Sequence, residues 1–437
     1  MLFKIPHKTF YKRHSEEVGR YVINKKALHI INQESRDKIV DLNVPKLYID
    51  VDIDNSLQLD ESYDVVILTD IVETHSNVFE LFNQIADNLN IDGKLILSTF
   101  NSKYKIIIRF LELLNLKEQT KKYSFIHNKK IKNIISGLGF EEVNHYSRQI
   151  FPFHVFGIGS FLNLILEAFF KFANLGVKSY SVYRVQKSQF KKSKKTIIIP
   201  AKNEEGNLQP LINRIPKDFE YQILIPCGIS QDETFAIAKS IEKNENFFNV
   251  EAFMQSGKGK ANAVWDSLNL ASGDFIAILD ADISVEPETI PKFFEIIENN
   301  HADFVNGTRL IYQMEKGAMR KINHLGNRVF QYIVGKIINQ PLSDSLCGTK
   351  VFKRELIDEL LFWQNKTITK DPFGDFDLIF TASYTGKKII EYPIHYRARQ
   401  YGTTQISRFR DGFKLIKYLF NSYFLFNTSR GYFFIKK

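Results

Sequence analysis

The stretch Gly273-Asp274-Phe275-Ile276-Ala277-Ile278-Leu279-Asp280-Ala281-Asp282 limits the fold more than any other. Phe275 to Leu279 is apolar without a polar break, which reads as a strand covered on both faces of a mixed sheet. It runs straight into two carboxylates one residue apart. The C-terminal end of a buried strand is where open α/β sheets bind ligands. Clustered carboxylates raise each other's pKa unless a cation lies between them. Mg²⁺ is usually held by one or two carboxylates plus substrate phosphates. Asp280 and Asp282 are therefore candidate ligands for Mg²⁺ or Mn²⁺, with a solvated acidic turn as the plainer alternative.

A chain of 437 residues, 44% hydrophobic and 25% charged, has material for two or three ordinary globular domains. Its net charge of +10 suits anionic partners: nucleotide phosphates, anionic lipid or nucleic acid. No zinc-finger spacing or other nucleic-acid module occurs, so nucleic acid is not an expected partner. Two cysteines, Cys227 and Cys347, argue against a disulfide scaffold and fit a reducing, cytoplasmic compartment. Met1 to Lys8 lacks the apolar core of a signal peptide. The most apolar long stretch, Phe156 to Val177, is interrupted by Asn163, Glu167, Lys171 and Asn174, so a bilayer span is not expected.

Residues 1–187 alternate strand and helix patterns, which argues for a doubly wound sheet. Ala27 to Ile31 and Tyr63 to Asp70 read as strands, Val78 to Leu89 as a helix. Asp92-Gly93 reads as a turn into a strand from Lys94 to Thr99, and Ile131 to Leu138 as a short helix. In Phe151 to Val177, apolar Phe161, Leu164, Ile165, Ala168, Phe169 and Phe172 recur at helical spacing. The preferred expectation is a helix packed in an interdomain core; the alternative is an interfacial helix lying on a membrane.

Tyr63 to Asp70, Asn90 to Leu97 and Gly139-Phe140-Glu141-Glu142-Val143 resemble the second half of a class I S-adenosylmethionine-dependent methyltransferase. That family's cofactor loop is rich in glycine, which lets backbone approach the ligand. The matching stretch here, His29-Ile30-Ile31-Asn32-Gln33-Glu34-Ser35, has none. Asp50, Asp52 and Asp54 are poorly spaced for the ribose-binding acid. The resemblance implies a methyltransferase-like domain that does not bind S-adenosylmethionine and serves as a scaffold or docking module.

Residues 188–195 are polar and basic and read as a linker. A second series follows in residues 196–410. Thr196 to Glu205 is a strand and a polar loop, followed by a helix from about Asn207; Tyr221 to Ile225 is a strand; Ser230 to Thr234 caps a helix to about Lys243. Gln255 to Ala263 carries two glycines and two lysines, a plausible diphosphate contact that is not a Walker loop.

Together with Asn306-Gly307-Thr308-Arg309, Asp344 to Lys350, Asp371 to Leu378 and Arg399 to Thr404, this order resembles the family 2 glycosyltransferases of GT-A fold. The nearest branch is that of the polyprenyl-phosphate sugar transferases. The resemblance implies two Rossmann-like domains: an N-terminal methyltransferase-like doubly wound sheet and a C-terminal nucleotide-sugar transferase. It places Pro200, Ala201, Asn203 and Glu205 in the nucleotide pocket and Asp280 and Asp282 on a metal–diphosphate. Lys258, Lys260 and Arg309 would add fixed positive charge. The second strand ends in Pro226-Cys227-Gly228, where the family usually has an acid on the base. This leaves a UDP- or a GDP-sugar as donor.

The implied reaction is transfer of a sugar from a nucleotide diphosphate to a lipid phosphate or a glycan, in cell-envelope or polysaccharide synthesis. A lipid phosphate needs no general base; a sugar hydroxyl does. Asp371, Asp375 and Asp377 are the candidates, and the resemblance favours Asp375 or Asp377 facing the acceptor. Acids before a helix are otherwise caps. Arg397, Arg399 and Arg408 are candidates for acceptor phosphate or donor diphosphate, with Arg399 placed in the catalytic set. Asp344 is a weaker candidate, with a turn as its alternative. The tail, residues 411–437, mixes Phe413, Ile416, Tyr418 and Phe420 with Lys414 and Lys417. It suits peripheral contact with the cytoplasmic face of a membrane, a helix covering the sheet, or a dimer contact. Two further readings stay open: a bifunctional methyltransferase and glycosyltransferase, and a non-catalytic nucleotide-sugar-binding assembly protein.

Overall fold

The computed structural model describes residues 7–32, 42, 44–49, 59, 61–73, 75, 77–105, 128–151, 158–170, 174–187, 193–312, 321–367, 371, 373–397, 399, 401 and 408–427. They fall into two compact units, one made of residues within 1–187 together with 424–427, the last four residues of the C-terminal helix, and the other within residues 188–423. The loop Gln33 to Ser35, the acids Asp50, Asp52 and Asp54, and Gly402 to Thr404 lie outside the described residues.

The first unit comprises α1 (His7–Gly19), β1 (Ala27–Asn32), β2 (Lys46–Ile49), β3 (Tyr63–Thr69), α2 (Val78–Asn88), β4 (Leu89–Phe100), α3 (Asn128–Ser136), β5 (Phe140–Arg148), α4 (Ile158–Phe170) and β6 (Lys178–Val185). Its sheet has the order β2-β1-β3-β4-β6-β5. The first four are parallel neighbours, and β6 runs antiparallel to β4 and β5. Strand alternation serves both faces. Val66 and Leu68 pack with Leu81, Phe82 and Ile85 of α2, while Val65 and Ile67 pack with Val18 and Tyr21. Covering on both faces explains the unbroken apolar runs. The expected turn at Asp92-Gly93 lies inside β4 instead. Tyr63 pairs with Leu89 and Val65 with Lys94, so the strand bulges where a turn was expected.

Helix α4 corrects a second expectation. Phe161 and Phe169 are 55% and 76% exposed, while Asn163 and Glu167 are buried. The reason lies in the backbone beside it. Asn163 exchanges two hydrogen bonds with the Phe151 main chain, and Glu167 accepts from the Gln149 N–H. Burying those partnered polar groups turns the aromatic face outward.

The second unit comprises β7 (Lys195–Ile198), α5 (Glu205–Arg214), β8 (Tyr221–Cys227), α6 (Thr234–Asn244), β9 (Asn249–Met254), α7 (Lys260–Leu270), β10 (Phe275–Ile278), α8 (Ile290–Glu298), β11 (Phe304–Thr308), α9 (Lys321–Ile338), β12 (Lys350–Lys353), α10 (Leu356–Lys366), α11 (Asp375–Tyr384), β13 (Ile389–Pro393) and α12 (Arg408–Asn427). Its sheet order is β13-β11-β12-β10-β7-β8-β9. Only β12 is antiparallel to its neighbours. The apolar run at Phe275 is thus central, between parallel β7 and antiparallel β12, as a mixed sheet requires. Lys195, expected in the linker, opens β7; its side chain is buried and pairs with Glu298 at 2.6 Å.

Helix α11 is buried along its whole length. Phe330 of α9 lies 6.2 Å from Phe376, and Tyr418 of α12 lies 5.8 Å from Phe380, ring to ring. Both sheets are therefore doubly wound α/β layers, the fold class expected. In the second unit, strand order reverses between β7 and β10, where such sheets bind ligands.

Candidate active site

Asp280 and Asp282 follow β10 at that reversal. Each carboxylate meets a cation of the same chain: Lys260 Nζ lies 2.6 Å from Asp280 Oδ1, and Arg399 Nη2 lies 2.7 Å from Asp282 Oδ2. Asp282 is further fixed by Ser284, whose N–H and Oγ donate to Oδ1 at 3.0 and 2.6 Å. The Asp280 side chain remains 31% exposed, so this corner is paired but not sealed. Burial would push the Asp280 carboxyl up; Lys260, with Lys350 and Arg309, holds it below the usual range.

Lys260 is at the start of α7, preceded by Gly259 with φ of 88°, a conformation glycine adopts freely. Lys258 is exposed on the same loop. A bare backbone also closes the far side of Asp280. A Cβ on Gly348 would sit 1.9 Å from Asp280 Oδ2 and 2.5 Å from Lys260 Nζ. Lys350, two residues on, is fully buried and donates to Asp375 Oδ1 at 2.8 Å and to the Cys347 carbonyl. The field of Asp375 also reaches Lys260. Asp280, Lys260, Gly348, Lys350 and Asp375 therefore form one cluster.

The nucleotide-pocket candidates line the neighbouring strand end. Ala201 bridges to Cys227, which continues the β7–β8 pairing past Pro200. Asn203 has φ of 55°; its N–H donates to Ser230 Oγ and its Oδ1 accepts from the Gln231 N–H. Glu205 accepts from the Tyr401 hydroxyl at 2.9 Å and from the Glu233 N–H. Burial pushes the Glu204 carboxyl up to about 7, against the hydrogen bond it receives from Asn207. Cys227 and Cys347 are buried, and burial raises both thiols to about 12, which removes them as nucleophiles.

Three of the candidate residues are held by partners in this chain. Arg309 was expected on the donor diphosphate. Its guanidinium is instead held by buried Asp344 through Nε–Oδ2 at 2.7 Å and Nη2–Oδ1 at 2.8 Å, and Asn327 donates to the same carboxylate. Asp377 was expected near the acceptor. It is buried, accepting from Tyr418 and Gln364, so it ties α11 to α12 and α10. Asp371 caps α11: its Oδ2 accepts from the Phe376 and Asp377 N–H groups at 2.7 and 3.1 Å. Burial and the charges of Asp377 and Asp375 push its carboxyl to about 7. Arg397 is engaged with Glu286 at 2.5 Å, and the Arg408 side chain lies outside the described residues.

Sequence reasoning passed over Glu204, Ser284, Gly348 and Lys350. Gly348 and Lys350 stand inside a quoted motif, but nothing in the string shows that the chain folds them onto Asp280.

The two carboxylates fit a hard divalent cation. Their charge attracts cations from this chain already, Asp280 is open, and one or two carboxylates suffice when phosphates complete the shell. Among the described residues no cluster of three or more metal-binding side chains is present, so protein ligands alone would not complete one.

The reversal point of the first unit is built differently. Asp70, just past β3, is fully buried, paired with fully buried Lys178, and accepts from the Tyr11 hydroxyl at 2.8 Å. Thr69 meets the Nε2 atoms of His14 and His29 at 2.9 and 2.8 Å, and Asn32 donates to the Asp70 carbonyl. Burial, then Lys178, pushes the pKa of His14 down. Side chains of the unit itself pack the ends of β1 and β3.

Two doubly wound units, the second with a partly exposed acidic corner at its reversal, define a two-domain α/β protein. Comparison with known proteins gives the families. Residues 196–361 match the family model described as Glycosyl transferase family 2, and residues 20–145 that described as Methyltransferase domain. The second unit thus carries a family 2 glycosyl transferase domain and the first a methyltransferase-type domain.

An undecaprenyl-phosphate 4-deoxy-4-formamido-L-arabinose transferase of Enterobacter sp. is 25% identical over 222 residues, 50% of this chain and 64% of that protein. A low-salt glycan biosynthesis hexosyltransferase of Haloferax volcanii is 26% identical over 229 residues, 51% of this chain and 52% of that protein. The chain therefore spans between half and two thirds of the length of these curated relatives. Glucosyl-3-phosphoglycerate synthase from Mycobacterium tuberculosis, solved with Mn²⁺, UDP and phosphoglyceric acid, superposes with a TM-score of 0.40 at 15% identity, covering 53% of this chain and 79% of that one.

Proposed function

We propose that the second unit transfers a sugar from a nucleotide diphosphate sugar, UDP- or GDP-linked, to a lipid phosphate or glycan acceptor in cell-envelope or polysaccharide synthesis. The observation that carries this reading is the acidic pair Asp280 and Asp282 at the sheet reversal, open at Asp280 and ringed by Lys260 and Arg399. In this reading Asp280 and Asp282 hold Mg²⁺ or Mn²⁺, which would neutralise charge on the leaving diphosphate. Pro200, Ala201, Asn203 and Glu205 shape the nucleotide pocket.

Lys260 and Arg399 stand within reach of both the carboxylates and an incoming anion. They change partner from aspartate to phosphate when the donor arrives, and Lys258 adds charge at the rim. Asp375 is the acid left for the acceptor side, since Asp371 and Asp377 are spent on α11. A lipid phosphate would need no base from it. The first unit serves as a scaffold without S-adenosylmethionine. The packed ends of β1 and β3 support this, as does the absence of glycine after β1. The relatives' names support a phosphorylated lipid or a glycan as acceptor.

The test is a thermal-shift panel of nucleotide sugars with and without Mn²⁺ or Mg²⁺, repeated on Asp282→Ala. One nucleotide sugar should raise the melting temperature of the wild type only with metal, and the variant should show neither the shift nor sugar transfer. Wild-type turnover by the variant would sink the proposal.

A further inference from the structure

We propose that the outer faces of α9 and α12 form a docking surface for an anionic lipid bilayer. Both helices press one side onto buried α11. From α9, Phe330 packs on Phe376, and the Ile338 carbonyl accepts from Ser383; from α12, Tyr418 packs on Phe376 and Phe380. The sides turned away are apolar where solvent would favour polar groups. On α12, Phe413, Ile416 and Phe420 are 71%, 58% and 67% exposed at spacings of three and four residues, one continuous stripe. On α9, Val329 and Tyr332 are 52% and 66% exposed, with Ile333 beside them.

Exposed aromatics at this density mark an interaction site. Charge chooses the partner. The two helices hold seven Lys or Arg and a single acid, Asp411. Exposed Lys414 and Lys417 stand among the α12 stripe, and exposed Arg328 and Lys336 bracket that of α9. Large apolar side chains interleaved with lysine on one helix face are the pattern that lies in the headgroup region of anionic membranes. Among the described residues no helix is long and apolar enough to cross a bilayer, so the surface would rest on the membrane without entering it. A second copy of the chain would set each cationic face against its like, which disfavours that occupant.

The surface shares no residue with the donor corner, and binding is measured without sugar nucleotide, so failure here leaves the transferase reading standing. The full chain is mixed with vesicles of phosphatidylcholine alone or with 30% phosphatidylglycerol, and partition is read by flotation. Binding is expected to the anionic vesicles only and to weaken in high salt. Reversing both lysines (Lys414→Glu with Lys417→Glu) should lower partition at least 20-fold, since each lysine near such a surface is worth about 1 kcal/mol. Phe413→Ser with Ile416→Ser should abolish binding with an unchanged melting temperature, because both side chains are exposed. Equal partition into neutral vesicles, or undiminished binding by the lysine variant, would overturn the proposal. So would a dimer in solution that the Phe413→Ser, Ile416→Ser variant dissociates.

Discussion

The two sheets reverse their strand order at comparable places and treat the spot in opposite ways. In the first unit the acid beyond the central strand, Asp70, is wholly buried, with Lys178, Tyr11 and two histidines beside or near it. In the second, Asp280 keeps 31% of its side chain in solvent, and its lysine partner is itself partly exposed. One topology thus yields a buried polar core in one case and a partly exposed acidic corner in the other. The difference is made by α1 and β6 filling the first crevice with Tyr11, His14 and Lys178, while in the second Gly348 offers only backbone, against which Asp280 and Lys260 lie.

Substitutions at the paired lysines and acids separate the two ends most sharply. Lys178→Met removes the cation beside buried Asp70 and should cost about 3–5 kcal/mol, read as a drop in the melting transition of the first unit. A neutral outcome would erase the contrast. Asp280→Ala should move stability by about 1 kcal/mol or less, because the pair it breaks is partly solvated. Its sugar transfer should fall on the order of 100-fold or more, measured as kcat/KM with saturating metal.

Ligand response comes next. A donor with its metal at a hundred times its Kd should stabilise the chain by about 2.7 kcal/mol. Millimolar S-adenosylmethionine should leave the melting curve where it was. Micromolar binding by calorimetry would break the scaffold reading of the first unit.

Glu73, close to Asp70, gives an effect that depends on pH. Burial, then the Asp70 charge, raises its carboxyl to about 7. Between its unfolded value and that pH the folded unit keeps a proton that the unfolded chain has released. Glu73 therefore favours folding at low pH and loses that contribution as pH rises through about 7. Glu73→Gln, which cannot ionise, should be more stable than the wild type by about 1–3 kcal/mol at pH 8 and nearly equal to it at pH 5. Equal stability at both values would mean that the carboxyl is not strained by its surroundings.

Most of the architecture was legible because the period of apolar residues sets element type. The run Phe275 to Leu279, ending in two acids, placed both the central strand and the candidate metal corner. Pairings between distant residues were not legible. Arg309 and Asp344 are far apart in the chain, and nothing local says that this guanidinium is taken by a buried carboxylate before any phosphate arrives. Helix α4 shows a second limit. Its spacing announced an apolar face, but spacing does not say which face is covered. Asn163 and Glu167 settled that by satisfying the main chain at Phe151 and Gln149.

Gly348 narrows what descendants of this chain can carry. A methyl group there would collide with the tip of Asp280 and the end of Lys260, both able to swing aside, so alanine would leave the fold standing and disarm the corner. Drift at this position would then go unnoticed by any screen for folded protein and be caught only by one for turnover.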